Sequence, residues 1–190
     1  MGVRWSYPVY PLPQANGTPV SAAALTAGTP QLGGQAPVIP GGVIEAGMRL
    51  RLKAFGELTS TSATPTVVLG FYIGAVGGAI GSAAVICASA TLAISASATA
   101  WPFQMEYEGE FRNLGGSAGS IHGQGKVESW FNVGLTGDGT TNPMPTTAAA
   151  RTVSTLNTYQ NNQIDVGVTL SVTTGSPSVT VTDVFFDLTG

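Results

Sequence analysis

The chain has 190 residues, with only seven Lys or Arg, ten Asp or Glu and a net charge of −3. That length supports one sizeable domain whose core needs no disulfide or metal, and the lone Cys87 excludes an intrachain disulfide. No Lys/Arg cluster is present to neutralise a phosphate backbone, which argues against a nucleic-acid partner, and one His with one Cys cannot build a Cys/His metal centre.

Charged residues make up 9% of the chain, against roughly 25% in ordinary domains, and none lies between Leu58 and Met105. A surface that avoids charge is poorly protected against sticking to other proteins. Such a stretch belongs either in a membrane or against protein neighbours. Val67 to Ala100 is long enough to cross a bilayer, but Ser82, Ser89, Thr91, Ser95, Ser97 and Thr99 interrupt it and no basic flank orients it. Protein neighbours are the better reading, and no membrane partner is expected.

Residues 1–42 form one block. Seven of the twelve prolines lie here, and Arg4 is its only charge. Proline fixes φ and removes a donor, so the block cannot be central sheet. It is expected to be an extended arm, with Trp5, Tyr7, Val9, Tyr10 and Leu12 as apolar anchors that dock on a partner. The N-terminus lacks a basic segment followed by an apolar run, so no signal peptide is expected.

After Pro40-Gly41-Gly42 the pattern changes to alternation. Met48, Leu50, Leu52, Ala54 and Gly56 share one face of a predicted strand, with Arg49, Arg51, Lys53 and Glu57 on the other. A second strand, Thr66 to Ile73, turns Val67, Leu69, Phe71 and Ile73 to one side. Short strands are predicted at Ala84–Cys87 and Thr91–Ser95. Trp101 to Arg112 is the clearest strand, with Trp101, Phe103, Met105, Tyr107 and Phe111 inward and Gln104, Glu106, Glu108, Glu110 and Arg112 outward. A turn at Asn113–Gly116 leads to a strand over about 120–133. Residues 137–145 read as a long loop. Ile164 to Val172 is predicted half-buried, and Val179 to Leu188 closes the domain. Roughly eight strands without an amphipathic helix indicate an all-β antiparallel sandwich or barrel over 43–190.

Little chemistry is visible. His122 falls on the solvent phase of its strand, and nothing pairs it with Cys87 as a nucleophile. Glu106, Glu108 and Glu110 are the exception. Residues i and i+2 on a strand lie about 6.5–7 Å apart, a spacing that overlaps paired glycosidase carboxylates and that could gather a Ca²⁺ ion. A regular outward stripe without an evident pocket reads instead as a solvated or paired face. Arg49, Arg51 and Lys53 form the matching basic stripe. Across a sheet or a subunit boundary, the two stripes would pair and set register or partner choice.

Several segments together resemble a known class: Gly47-Met48-Arg49-Leu50-Arg51-Leu52-Lys53, then Thr64-Pro65-Thr66 with its strand to Gly74. Trp101-Pro102-Phe103-Gln104-Met105-Glu106-Tyr107-Glu108-Gly109-Glu110-Phe111, Ile121-His122-Gly123-Gln124-Gly125 and a closing Ser/Thr/Val strand pair follow. Over about 38–190 the chain resembles jelly-roll structural proteins of tailed-bacteriophage virions, of the capsid-decoration or minor-capsid kind. The resemblance implies a jelly roll preceded by an arm, and a homotrimer on the capsid surface, made in the host cytoplasm. It implies the major capsid protein and sister copies as partners, no cofactor and no enzymatic activity. The alternative is a phage tail module that recognises a glycan, for which Trp130 and Tyr159 are candidate aromatics.

Overall fold

The structure is a computed structural model and describes residues 20, 26–27, 36–60, 64–129, 140–145, 147, 149–171 and 177–190. These contain twelve strands: β1 (Thr26–Ala27), β2 (Val38–Ile39), β3 (Arg49–Thr59), β4 (Thr66–Ala75), β5 (Ala84–Ala88), β6 (Leu92–Ala93), β7 (Trp101–Asn113), β8 (Gly119–Ser129), β9 (Thr140–Met144), β10 (Thr152–Leu156), β11 (Asn162–Leu170) and β12 (Ser178–Thr189). Two single 3₁₀ turns, Ile80–Ser82 and Ala149–Arg151, complete the list. No helix among the described residues is long and apolar enough to cross a membrane.

The strands form two antiparallel sheets. The first runs β1-β11-β4-β5, with β2 also on β11 and β6 also on β4. The second runs β10-β8-β7-β3-β12, with β9 also on β8. This is a β-sandwich, and its two inner faces supply one apolar core. The alternation in β3 and β7 decides what each strand contributes. Leu50, Leu52, Ala54 and Leu58 from β3 and Phe103, Met105, Tyr107 and Phe111 from β7 are buried, while Arg49, Arg51, Glu108 and Glu110 stay in water. Trp101, predicted inward, packs against the core but is only half-buried.

Three strand expectations change. β4 and β11 are not half-buried: Gly70, Tyr72, Asp165 and Gly167, on their outward phase, are buried as well. Their small and polar residues imitate a solvent face, although these two strands lie at the middle of the first sheet. The predicted loop over 137–145 contains β9, which pairs with β8 from Gly125 to Ser129. Pro143 is tolerated there because β9 pairs only with β8, and an edge position does not need its missing donor. Finally, β10 joins the same edge of β8 at Ile121 and His122. Its residues are mostly exposed, so hydrophobic periodicity does not reveal it.

The described parts of residues 1–42 lie on the sandwich itself. Val20 exchanges two backbone hydrogen bonds with Val179, at 2.8 and 3.0 Å. Thr26 pairs with Val168 and Ile39 with Asn162, both on β11. Val20 and Ile39 belong to the common core. Trp5, Tyr7, Val9, Tyr10 and Leu12 lie outside the described residues.

Candidate functional site

Register brings the two charged stripes side by side. β3 and β7 are adjacent, and Arg49, Arg51 and Lys53 stand opposite Glu110, Glu108 and Glu106. Extended across the neighbouring strands, two outward rungs form. One is Phe185, Lys53, Glu106, Lys126; the other is Asp187, Arg51, Glu108, Gln124. Between the rungs runs a groove of ≈ 560 Å³ that crosses four strands, with Leu52, Tyr107, Gly125 and Phe186 along its floor.

The walls are knit by ion pairs. Lys53 Nζ lies 2.9 Å from Glu106 Oε1, and Lys126 Nζ 3.5 Å from Glu106 Oε2. Lys126 also donates to Glu128. Arg51 Nη2 donates to Glu108 Oε1 at 3.2 Å, and Arg49 Nη1 approaches the same oxygen at 3.9 Å. Gln104 Nε2 donates to Glu106 Oε1 at 2.7 Å. At the β12 end, Phe185 meets Phe55 edge to face at 6.1 Å, and Lys53 Nζ sits 5.0 Å from the Phe55 ring centre.

The Lys53 hydrogen bond, helped by the charges of Lys53 and Lys126, outweighs partial burial and holds the Glu106 carboxyl below its ordinary range. Lys126 is raised, first by its hydrogen bond to Glu128. A general acid needs the opposite shift, so Glu106 is suited to charge pairing rather than proton donation. Because its folded pKa is depressed, the stabilisation from Glu106 is present above the unfolded value and disappears as pH falls through the folded one. The Glu106 side chain is 35% exposed, and solvent screening keeps such pairs below about 1 kcal/mol. Glu106→Gln is therefore expected to lose under about 1 kcal/mol at neutral pH in denaturant titrations, and that difference should close as pH drops below 4.5.

The remaining candidates are scattered. His122 Nδ1 is 2.7 Å from Thr152 Oγ1, a contact between β8 and β10. Cys87 is 1% exposed, and burial pushes its thiol up to about 12. A thiol in that state is inert. Native protein should resist thiol reagents and label rapidly only in denaturant; fast native labelling would contradict the burial. Burial likewise raises Tyr72 and Tyr107. The Tyr107 hydroxyl is enclosed and has no hydrogen-bond partner among the described residues. No three His, Cys, Asp or Glu side chains among the described residues converge to hold a metal ion. Tyr159 is 64% exposed on a turn of amide side chains, where Asn157 Nδ2 donates to Gln160 Oε1 at 3.0 Å. Trp130 lies outside the described residues.

Sequence reasoning passed over Phe55, Phe185, Asp187 and Gln124, all of which contribute to this face. The signal was present for the two rings. Phe55 shares the phase of Arg51 and Lys53, and in the doublet Phe185-Phe186 one ring must face outward. Compared with known protein families and with curated proteins, the chain matches none.

Proposed function

We propose that the chain is a structural protein of a tailed-bacteriophage virion, a decoration or minor capsid protein that binds the capsid surface and stabilises it. Its partners would be the major capsid protein and sister copies, in the homotrimeric order the resemblance implies. The observation that carries this reading is the uneven placement of charge. The six strands of the first sheet contain one charged residue, Asp165, and it is buried. Strands β3, β7, β8 and β12 contain twelve. Val76 and Val85 are exposed on the charge-free side. A cleft of ≈ 480 Å³ between β5 and β10, lined by Ile86, Val153 and Pro145 among others, has no charged residue in its walls. Such surface lacks the charges that keep free monomers apart and suits permanent burial between proteins, at about 25 cal/mol per Å² of apolar area.

A jelly-roll topology is part of the proposal. The nested pairing of β3 with β12 and of β4 with β11 supports it, although the β7-β8 hairpin attaches at β3. Arm docking would add avidity to face contacts. Particles purified by density from a culture of the source, probed with antibody against the chain, test the idea. Co-sedimentation with filled heads is expected; particles free of the chain would refute it. A chain lacking residues 2–19 spares Val20 and the β1 and β2 pairings, so it tests the arm while keeping every described residue of the core. Unchanged capsid occupancy would rule out docking through Trp5, Tyr7, Val9, Tyr10 and Leu12.

The glycan-recognition reading is favoured by one feature, the exposed Tyr159 ring beside Asn157 and Gln160. On a glycan array it requires binding that Tyr159→Ala removes.

A further inference from the structure

We propose that the outer face of the second sheet is a two-fold self-association surface, on which a second copy of this chain docks face to face. This does not depend on the virion reading. Solvated faces usually intersperse the two signs. Here the signs are segregated over the middle of the face: Arg49, Arg51 and Lys53 follow one another on β3, and Glu106, Glu108 and Glu110 on β7, with the opposite signs, Glu57 and Arg112, only toward the strand ends. Like charges two residues apart on a strand repel at about 6.5–7 Å, so the arrangement needs a compensating partner. Pairing within the chain compensates only in part. Arg49 reaches Glu108 only at 3.9 Å, and Glu110, opposite Arg49 in register, makes no ion pair among the described residues.

Across the groove the signs run negative, positive, negative, positive, through Asp187 on β12, β3, β7 and Lys126 on β8. That order inverts under reversal. A two-fold axis parallel to the strands, between β3 and β7, therefore lays every central charge on its opposite. Lys53 meets the partner's Glu106, Arg51 the partner's Glu108, and Arg49 the partner's Glu110. Phe185 falls over the partner's Lys126, an arrangement suited to a cation–π contact, and Asp187 over the partner's Gln124. The like-charged Asp183 and the partner's Glu128 fall at a corner, which sheet twist of roughly 20–25° per strand carries away from contact.

Four strands of ten residues cover about 19 by 33 Å, or roughly 1,250 Å² counted over both copies, which clears the ~1,000 Å² of a specific interface. The groove is lined by three cations, Arg51, Lys53 and Lys126, and three carboxylates, Glu106, Glu108 and Asp187. That balance suits a copy of itself better than a polymer of one sign. Desolvating ions that are already paired offsets much of the attraction, so the association is expected to be reversible and sensitive to salt. A homotrimer built on another face would be joined to its neighbour through this one.

Sedimentation of the full chain at about 20 mM and about 500 mM salt, where the screening length differs several-fold, is the first measurement. An assembly with an even number of copies at low salt, halving at high salt, is expected. A species of one copy or three at both salts would overturn the proposal. The decisive step uses two swaps, Arg51→Glu with Lys53→Glu, and Glu106→Lys with Glu108→Lys. Each alone places like charges together and should not self-associate. Mixed in equal amounts they should pair, because each then offers the sign the other needs. Pairing within one chain cannot produce that rescue, and two folded variants that fail to pair on mixing would refute the two-fold. Should either swap fail to fold, Gln124→Cys coupled to a bulky polyethylene-glycol maleimide serves instead. Gln124 is exposed at the edge of the face and Cys87 is buried. The bulky group should abolish association, and unchanged association would count against the proposal.

Discussion

Replacing Phe103 with alanine is expected to lower the unfolding free energy by about 3–5 kcal/mol, the range for deleting a buried ring. Phe103 is 1% exposed and among the largest enclosed side chains. Its ring fills the space above Gly56 on β3, where an added Cβ would overlap the ring edge. With no side chain at 56 to move in, the cavity collapses poorly, which favours the upper part of the range. Domains of this size hold about 5–15 kcal/mol in all, so the loss is a large fraction of the total. The melting temperature should fall by about 6–20 °C, at roughly 2–4 °C per kcal/mol. The outward Phe185 provides the contrast. It is 36% exposed, and truncating it removes little more than an aromatic contact worth about 0.5–1.5 kcal/mol. Urea titration and calorimetry of the two variants give the comparison. Equal losses would mean that β3 and β7 are not joined by this interior.

The contrast also shows where the sequence was informative. The alternation of mostly charged with apolar residues in 47–57 and 101–112 marks two strands and assigns their faces, the half-buried Trp101 apart. It does not show that these strands, some fifty residues apart, are neighbours. Register is a non-local property, and the groove depends on it: Lys53 meets Glu106 only because β3 lies between β7 and β12. β4 and β11 mislead for a different reason. Gly70, Gly167 and Asp165 occupy their outward phase and look like solvent positions, while the folded chain encloses them. β9 and β10 were hidden by Pro143 and by a Thr- and Ser-rich sequence, since both strands are held by the open edge of β8 rather than by an apolar stripe of their own.

Gly125→Ala is the sharper test of that register. Gly125 stands opposite Tyr107, and a Cβ there would overlap the Glu106 carbonyl oxygen and lie 3.0 Å from the Tyr107 Cα. Both obstacles are backbone, so no rotamer change relieves them. β7 and β8 must separate locally, at the point where Lys126 reaches Glu106. Overpacking of this kind costs about 1–3 kcal/mol, and more where the neighbour cannot give way. Gly116→Ala serves as the control, because a Cβ at Gly116 meets nothing within 4 Å; a change within about 0.5 kcal/mol is expected there. Hydrogen exchange should localise the damage, with amides of β7 and β8 losing protection while the β4-β11 pair keeps it. Gly125 also lies on the floor of the groove, so the strand displacement that this core-facing methyl forces should weaken face-to-face association along with stability. The Phe103→Ala variant, which leaves the groove lining unchanged, should retain association for as long as it stays folded. A Gly125→Ala protein as stable as the wild type would mean that β7 and β8 pair in another register, and the two charged rungs would then not exist.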